Sequence, residues 1–242
     1  MHHVVLDRWS RRPSLLHARD ARMKLLALAA FLVAVATTPP TLPLARAGYA
    51  LLLVVTLLFS RLPLWGVFTR AAMVLPFAAT FALVSFLSGD ASRAIALVEK
   101  SYLSSLAVLL VVATTPMPKL MRGMESLGVP RFFAMVVQFL YRYLFVISEQ
   151  AQHMQQAAGC RSGSVRKANA ARSQFQNAAG ALGVLFARSY ARAEGTHQAM
   201  LARGFEGHFH LLESGRIGPG DVAFLLVAFS AIALLRLGTG AF

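Results

Sequence analysis

Hydrophobic positions along the chain fall in runs too long for the core of a soluble domain. Residues 25–38, 44–60, 64–88, 101–115 and 221–237 are each nearly unbroken apolar stretches, a pattern that predicts membrane helices rather than amphipathic surface helices. The run 64–88 exceeds the ~20 apolar residues that a bilayer span requires. Pro76 within it predicts a kink, because proline removes a backbone donor and crowds the preceding turn. The first two runs are shorter and are joined by a tight turn, Pro39-Pro40-Thr41-Leu42-Pro43, which predicts a tilted or partly interfacial hairpin. The fold class that follows is all-α and polytopic, with about five membrane helices.

The pattern changes between 116 and 218. Pro116 and Pro118 end the fourth run, and a short helix is expected over 119–126. Gly128-Val129-Pro130 then opens a long helix to about 159, with Pro130 in the first turn where its missing N–H costs nothing. Its first half, 132–147, is apolar and aromatic but interrupted by Gln138 and Arg142, and its second half, 149–156, is polar. A basic stretch, 161–172, contains a linker at Gly163 and Ser164, and a second long helix is expected over 173–202. Charge breaks the apolar stretches of both helices, so they read as amphipathic rods at a membrane surface. The other reading lets 132–147 span, with Arg142 turned into the bundle. Along the second helix Ala179, Gly183, Ala187 and Ala191 recur every four residues. Such a small-residue stripe predicts a close crossing with another helix, although alanine is also simply a good helix former. The chain thus divides into membrane helices over 1–115, a helical-rod segment over 116–218 and a last membrane helix over 219–242.

Charge orients this arrangement. The 242 residues are 57% hydrophobic and 14% charged, against about 25% charged in soluble domains, and the mean hydropathy is +0.58. Of 24 Lys and Arg, six precede the first run (Arg8, Arg11, Arg12, Arg19, Arg22, Lys24) and twelve lie between Met117 and Gly218, against five acids there. The turn at 39–43 carries no charge, and the loop 89–100 is balanced by Asp90, Arg93, Glu99 and Lys100. Lys and Arg favour the cytoplasmic side, so the N-terminus and the rod segment are expected in the cytoplasm and the C-terminus outside, in a cytoplasmic (inner) membrane. The net charge of +14 does not point to nucleic acid, because the arginines stand singly without aromatic interleaving for base stacking. The first apolar run leads into a second one rather than a small-residue cleavage site, so the first helix is expected to be retained.

Catalytic chemistry has no visible place in this sequence. There is no glycine-rich loop ending in Lys-Ser or Lys-Thr for phosphate, and no paired nucleophile and base or carboxylate pair in a membrane run. The close histidines, His2-His3 and His208-Phe209-His210, lack acidic or cysteine partners at metal-ligand spacing, so no metal and no cofactor is expected. The single cysteine, Cys160, excludes an intramolecular disulfide.

The two long helices end alike. The first closes on Ala158-Gly159-Cys160-Arg161-Ser162-Gly163 and the second on Ala202-Arg203-Gly204-Phe205. A glycine just beyond a helix suits the left-handed capping position, and an arginine suits the negative end of the helix dipole. Each arginine could merely cap its own helix. Two of them ending successive rods favour a second use, a forked contact to a partner carboxylate.

The stretch Gln198-Ala199-Met200-Leu201-Ala202-Arg203-Gly204-Phe205 resembles the second Ala-Arg-Gly signature of the transmembrane T components of energy-coupling factor (ECF) transporters. Asp7-Arg8, Ser14-Leu15-Leu16-His17, Arg22-Met23-Lys24-Leu25-Leu26, Leu127-Gly128-Val129-Pro130-Arg131 and Tyr141-Arg142-Tyr143-Leu144-Phe145 are similar to the cobalt-type CbiQ subfamily. The resemblance implies a non-enzymatic coupling subunit whose pair of long crossing helices links two ATPase subunits to a substrate-capture membrane protein. By it, Arg161 and Arg203 are the ATPase-docking arginines, flanked by Cys160, Ser162, Ala202 and Gly204. The cargo it implies is cobalt or nickel, bound by another subunit, with a vitamin as the alternative. Cys160-Arg161-Ser162 departs from Ala-Arg-Gly, with glycine one position late. Read without the resemblance, the residues also admit a partner-independent channel or insertase with Arg70 and Arg142 in a membrane groove.

Overall fold

The computed structural model describes residues 16–17, 19–60, 62–161, 170–207 and 218–238, with side chains of 161 and 170–174 excepted. Among the described residues every regular element is helical. The chain divides into two compact units, Met1–Val129 with Ser214–Phe242, and Pro130–Glu213.

The first unit holds α1 (Ala21–Thr37), α2 (Pro43–Ser60), α3 (Leu64–Ala71), α4 (Leu75–Leu87), α5 (Ala91–Thr114), α6 (Met117–Ser126) and α9 (Pro219–Gly238). Asp20 caps α1, its carboxylate accepting from the Arg22 N–H at 2.9 Å, which satisfies one of the donors that a helix start leaves orphaned. The kink expected at Pro76 falls one turn earlier, as a 3₁₀ turn over Ala72–Val74. Pro76 has no N–H to offer the Ala72 carbonyl, and the Leu75 N–H takes that carbonyl instead. Positive φ angles at Gly89 and Gly128 let the chain fold back on α4 and α6. The Asp90 N–H reaches the Ser85 carbonyl (3.2 Å), and the Val129 N–H reaches the Met124 carbonyl (3.1 Å).

Two boundaries differ from the sequence reading. The helix ending at Thr114 starts at Ala91 rather than 101, so Glu99 and Lys100 are helical, not loop. The sequence reading set them outside because charge breaks a hydropathy run. In the structure both are used, Arg46 donating to Glu99 and to the Pro40 carbonyl, and Lys100 to the carbonyls of Ala36 and Thr38. Five helices are long and apolar enough to cross a membrane, Pro43–Ser60, Leu64–Leu87 (α3 and α4 with their 3₁₀ turn), Ala91–Thr114, Arg131–Cys160 and Pro219–Gly238. The number matches the sequence expectation but the membership does not. At 17 residues α1 falls short, and the first long rod takes its place.

The core of this unit lies where α1, α2, α3 and α5 meet. Tyr49, Val35, Val67 and Ala71 are almost fully enclosed, and Phe31 meets the Tyr49 ring edge-on at 5.7 Å. Alanines at 45, 71, 107 and 113 join this core, and small side chains let helices approach where apolar burial gives no net advantage over lipid. Packing also sets α6 against α1. A Cβ on Gly123 would stand 3.2 Å from the Ala21 Cβ and 3.3 Å from its carbonyl carbon. That contact joins α6 to the first unit.

Polar groups gather at the two ends of α1. At its start the buried Lys24 ammonium donates to the Thr114 carbonyl (3.1 Å) and the Thr115 hydroxyl (3.2 Å), closing the C-terminal end of α5 with a cation where the dipole favours one. Asp221 at the start of α9 joins this end, accepting from the backbone N–H groups of Asp20 and Gly218, both at 3.1 Å. At the other end lie Thr38, Pro40, Arg46, Glu99 and Lys100. Thr38 lies fourteen positions after Lys24, and Thr114 fourteen positions after Lys100. The antiparallel pair α1 and α5 is therefore in register between two polar belts.

Candidate functional site

The second unit is built from α7 (Arg131–Arg161) and α8 (Ala170–Ala202). At 31 and 33 residues they are rods of roughly 45–50 Å at 1.5 Å per residue. Pro130 precedes α7, and its carbonyl accepts from the Phe133 N–H at 3.0 Å. The two helices touch through Tyr143 and Thr196, whose hydroxyls lie 3.2 Å apart. Thr196 belongs to a half-buried line on α8 that includes Ala181, Leu185, Ser189 and Met200, recurring at intervals of four and seven as a helix face does. On α7 the aromatic rings pair along the helix, Tyr141 with Phe145 edge-on and Phe139 stacked with Tyr143. Arg142 is exposed, its guanidinium 6.0 Å from the Tyr143 ring centre.

The end of α8 is fully defined. Arg203 follows the last helical residue, Ala202, and Gly204 takes φ +78°. The Gly204 N–H donates to the Leu201 carbonyl at 3.0 Å and the Phe205 N–H to the Met200 carbonyl at 3.1 Å, the paired bonds of a Schellman cap. Ala202, Arg203 and Gly204 are all exposed, while Phe205 is half-buried. The cap fixes the backbone direction at Arg203, so the guanidinium is presented from a rigid point at the negative end of a long helix.

At the end of α7 the helix runs past Gly159 and Cys160 to close on Arg161. Cys160 is exposed with a free thiol. Ser162, Gly163 and the basic residues to 169 lie outside the described residues, as do His2, His3, Asp7, Arg8, Ser14, Leu15, His208 and His210. The stripe Ala179, Gly183, Ala187 and Ala191 is exposed on α8, and nothing lies within 4 Å of where a Gly183 Cβ would be. Within the chain α8 meets α7 through the Thr196 side instead. Sequence reasoning passed over Thr196, because a threonine amid small polar residues carries no pattern. Tyr143 belongs to the stretch Tyr141-Arg142-Tyr143-Leu144-Phe145, whose pattern gives it no role. Arg70 lies in α3 of the first unit and Arg142 in the second. Among the described residues no three His, Cys, Asp or Glu side chains converge as a metal site would require.

A family model described as CbiQ, cobalt transport protein, matches residues 12–211. The chain belongs to the CbiQ family. The match reaches into both units and stops short of α9, and the ends of α7 and α8 lie inside the family region. The description of the family is one of transport. An uncharacterized protein of Methanocaldococcus jannaschii is 32% identical over 133 residues, which is 55% of this chain and 44% of that relative. The chain thus matches less than half the length of this relative. Family and helices together make this a multi-pass membrane protein of a cobalt transport family.

Proposed function

We propose that the chain is the energy-coupling transmembrane subunit of an ATP-driven ECF importer for cobalt or nickel ions. It sits in the cytoplasmic membrane with its N-terminus in the cytoplasm and joins two ATPase subunits to a substrate-capture membrane protein. Arg161 and Arg203 are the docking groups, with Cys160, Ser162, Ala202 and Gly204 shaping the helix ends around them. The observation that carries this reading is Arg203, exposed at the Schellman-capped end of a 33-residue helix. A guanidinium offers a planar fork matched to a carboxylate, and fixing its backbone lowers the entropy cost of docking. Membership in a cobalt transport family supports a divalent metal cargo.

The mechanism is mechanical. Closure of the ATPase pair displaces the two arginine-bearing ends, and stiff helices carry that displacement along their length. The Tyr143–Thr196 contact makes the rods move together instead of sliding independently. Nucleotide hydrolysis and metal capture belong to the other subunits.

Copurification tests the reading. The full chain coexpressed with its ATPase and capture subunits is expected to retain both ATPases. Arg161→Glu and Arg203→Glu are each expected to cut retention at least tenfold, with Arg203→Lys intermediate because lysine keeps the charge but loses the fork. Wild-type retention in both charge-reversal variants overturns the docking role. Uptake by the assembled complex, with cobalt and nickel in competition, reads the cargo.

A further inference from the structure

A groove of about 820 Å³ runs between α2 and α9 in the first unit, within the roughly 300–1,000 Å³ of pockets that enclose small molecules. Its walls are apolar, with Leu51, Val55 and Phe59 on α2 facing Val227 and Ala231 on α9, over a floor that includes Phe31. Two charged residues line it, Arg19 and Lys24, both at the end where α9 begins. At the opposite end the helices close on each other, since a Cβ on Gly48 would stand 2.6 Å from a Leu235 methyl carbon. The groove is therefore apolar along its length and cationic at one mouth.

The two cations differ in what they can do there. Lys24 is buried and donates to Thr114 and Thr115. Arg19 is one-third exposed, and its nearest guanidinium nitrogen stands 3.9 Å from the Asp221 carboxylate, beyond hydrogen-bonding distance. Its guanidinium lies over Gly220, where a Cβ would fall 2.2 Å from the nitrogen, so the glycine makes room for it. A fork-shaped donor sits at the level of the polar belt, directly beside an apolar slot.

We propose that this groove binds one anionic glycerophospholipid, its phosphate on Arg19 and an acyl chain between α2 and α9. Basic pockets between membrane helices take anionic headgroups, and guanidinium groups pair with phosphate through two parallel hydrogen bonds. The order of polarity along the groove, cation at the belt and hydrocarbon beneath, is that of an anionic lipid, headgroup above acyl chain. The site uses neither arginine at the rod ends, and its test is independent of ATPase docking.

Native mass spectrometry of the full chain, titrated with phosphatidylglycerol or phosphatidylcholine of identical acyl chains, reads the site. Phosphatidylglycerol is expected to be retained at least tenfold better, and millimolar inorganic phosphate not to displace it. Arg19→Gln should bring the two lipids within twofold. Ala231→Trp should lower retention of both, with Val227→Trp as the second blocking variant if the first loses its helix content. Asp221→Asn, which relieves Arg19 of its competing carboxylate, should raise phosphatidylglycerol retention, whereas a purely structural role for Arg19 would lower it. Equal retention of the two lipids, an unchanged preference in Arg19→Gln, or full retention in a folded blocking variant overturns the proposal. So does a helix of another subunit seated in the groove of an assembled complex.

Discussion

The Tyr143 phenol and the Thr196 hydroxyl lie 3.2 Å apart and join the two rods of the second unit. A single neutral hydrogen bond contributes about 0.5–1.5 kcal/mol, so Tyr143→Phe is expected to destabilise the α7–α8 pair by that amount. Hydrogen exchange at amides near Thr196 should accelerate to match, while exchange within α5 of the other unit stays unchanged. Equal acceleration in both units would show that the contact is not local to the rods.

The cap on α8 gives a prediction separate from charge. Gly204 adopts φ +78°, a conformation that costs other residues about 1–2 kcal/mol. Gly204→Ala should therefore fray the last turn and reduce ATPase retention although Arg203 is intact. Gly204→Asn, which tolerates the left-handed region better, should retain more. If alanine and asparagine behave identically, the cap does not set the arginine.

Two glycines should respond in opposite ways to the same change. Gly123 is pressed against Ala21, backbone included, so Gly123→Val is expected to overpack the α1–α6 contact at a cost of about 1–3 kcal/mol. Gly183 has open space around it, and Gly183→Ala should stabilise α8 by up to ~1 kcal/mol through helix propensity alone. Thermal unfolding of the solubilised chain compares the pair. We propose, as the sequence pattern suggests, that the stripe Ala179, Gly183, Ala187 and Ala191 is a helix-crossing face. Gly183→Leu would then cost coupling in the assembled complex while Gly183→Ala would not.

Lys24 closes the end of α5 from a buried position. Hydrogen bonds from a charged donor contribute about 1.5–3 kcal/mol, and Lys24→Met keeps the length of the side chain while removing the donor. Loss of stability in that range is expected, seen as a lower unfolding midpoint in detergent. An unchanged midpoint would mean that Thr114 and Thr115 are satisfied without the ammonium.

Much of this architecture was legible in the sequence, for physical reasons that also explain the rest. Apolar runs located α2, α4 and α9 because bilayer spans cannot be built otherwise. Prolines and glycines located the starts of α6 and α7 and the end of α8 because they leave the backbone few choices. Glu99 and Lys100 were misread as loop, since a charged pair inside a helix is intelligible only once Arg46 and the carbonyls of Ala36 and Thr38 are seen beside it. The stripe on α8 was visible, but a stripe does not say which neighbour it faces. Within the chain, contact with α7 falls to Thr196 on another side. Arg203 and its glycine were legible because capping is local. Arg19 and the groove were not, because the groove exists only where α2 and α9, far apart in sequence, come together.

The matched polar belts at the two ends of α1 and α5 have a consequence for how the bundle meets the bilayer. Fourteen residue steps from one belt to the other rise only ~21 Å at 1.5 Å each, whereas hydrocarbon is about 30 Å deep. The enclosed cations Lys24 and Arg46 are kept from the hydrocarbon by the helices packed around them. A helix as short as α1 is therefore tolerated in the bundle only because its neighbours supply the partners for its polar ends.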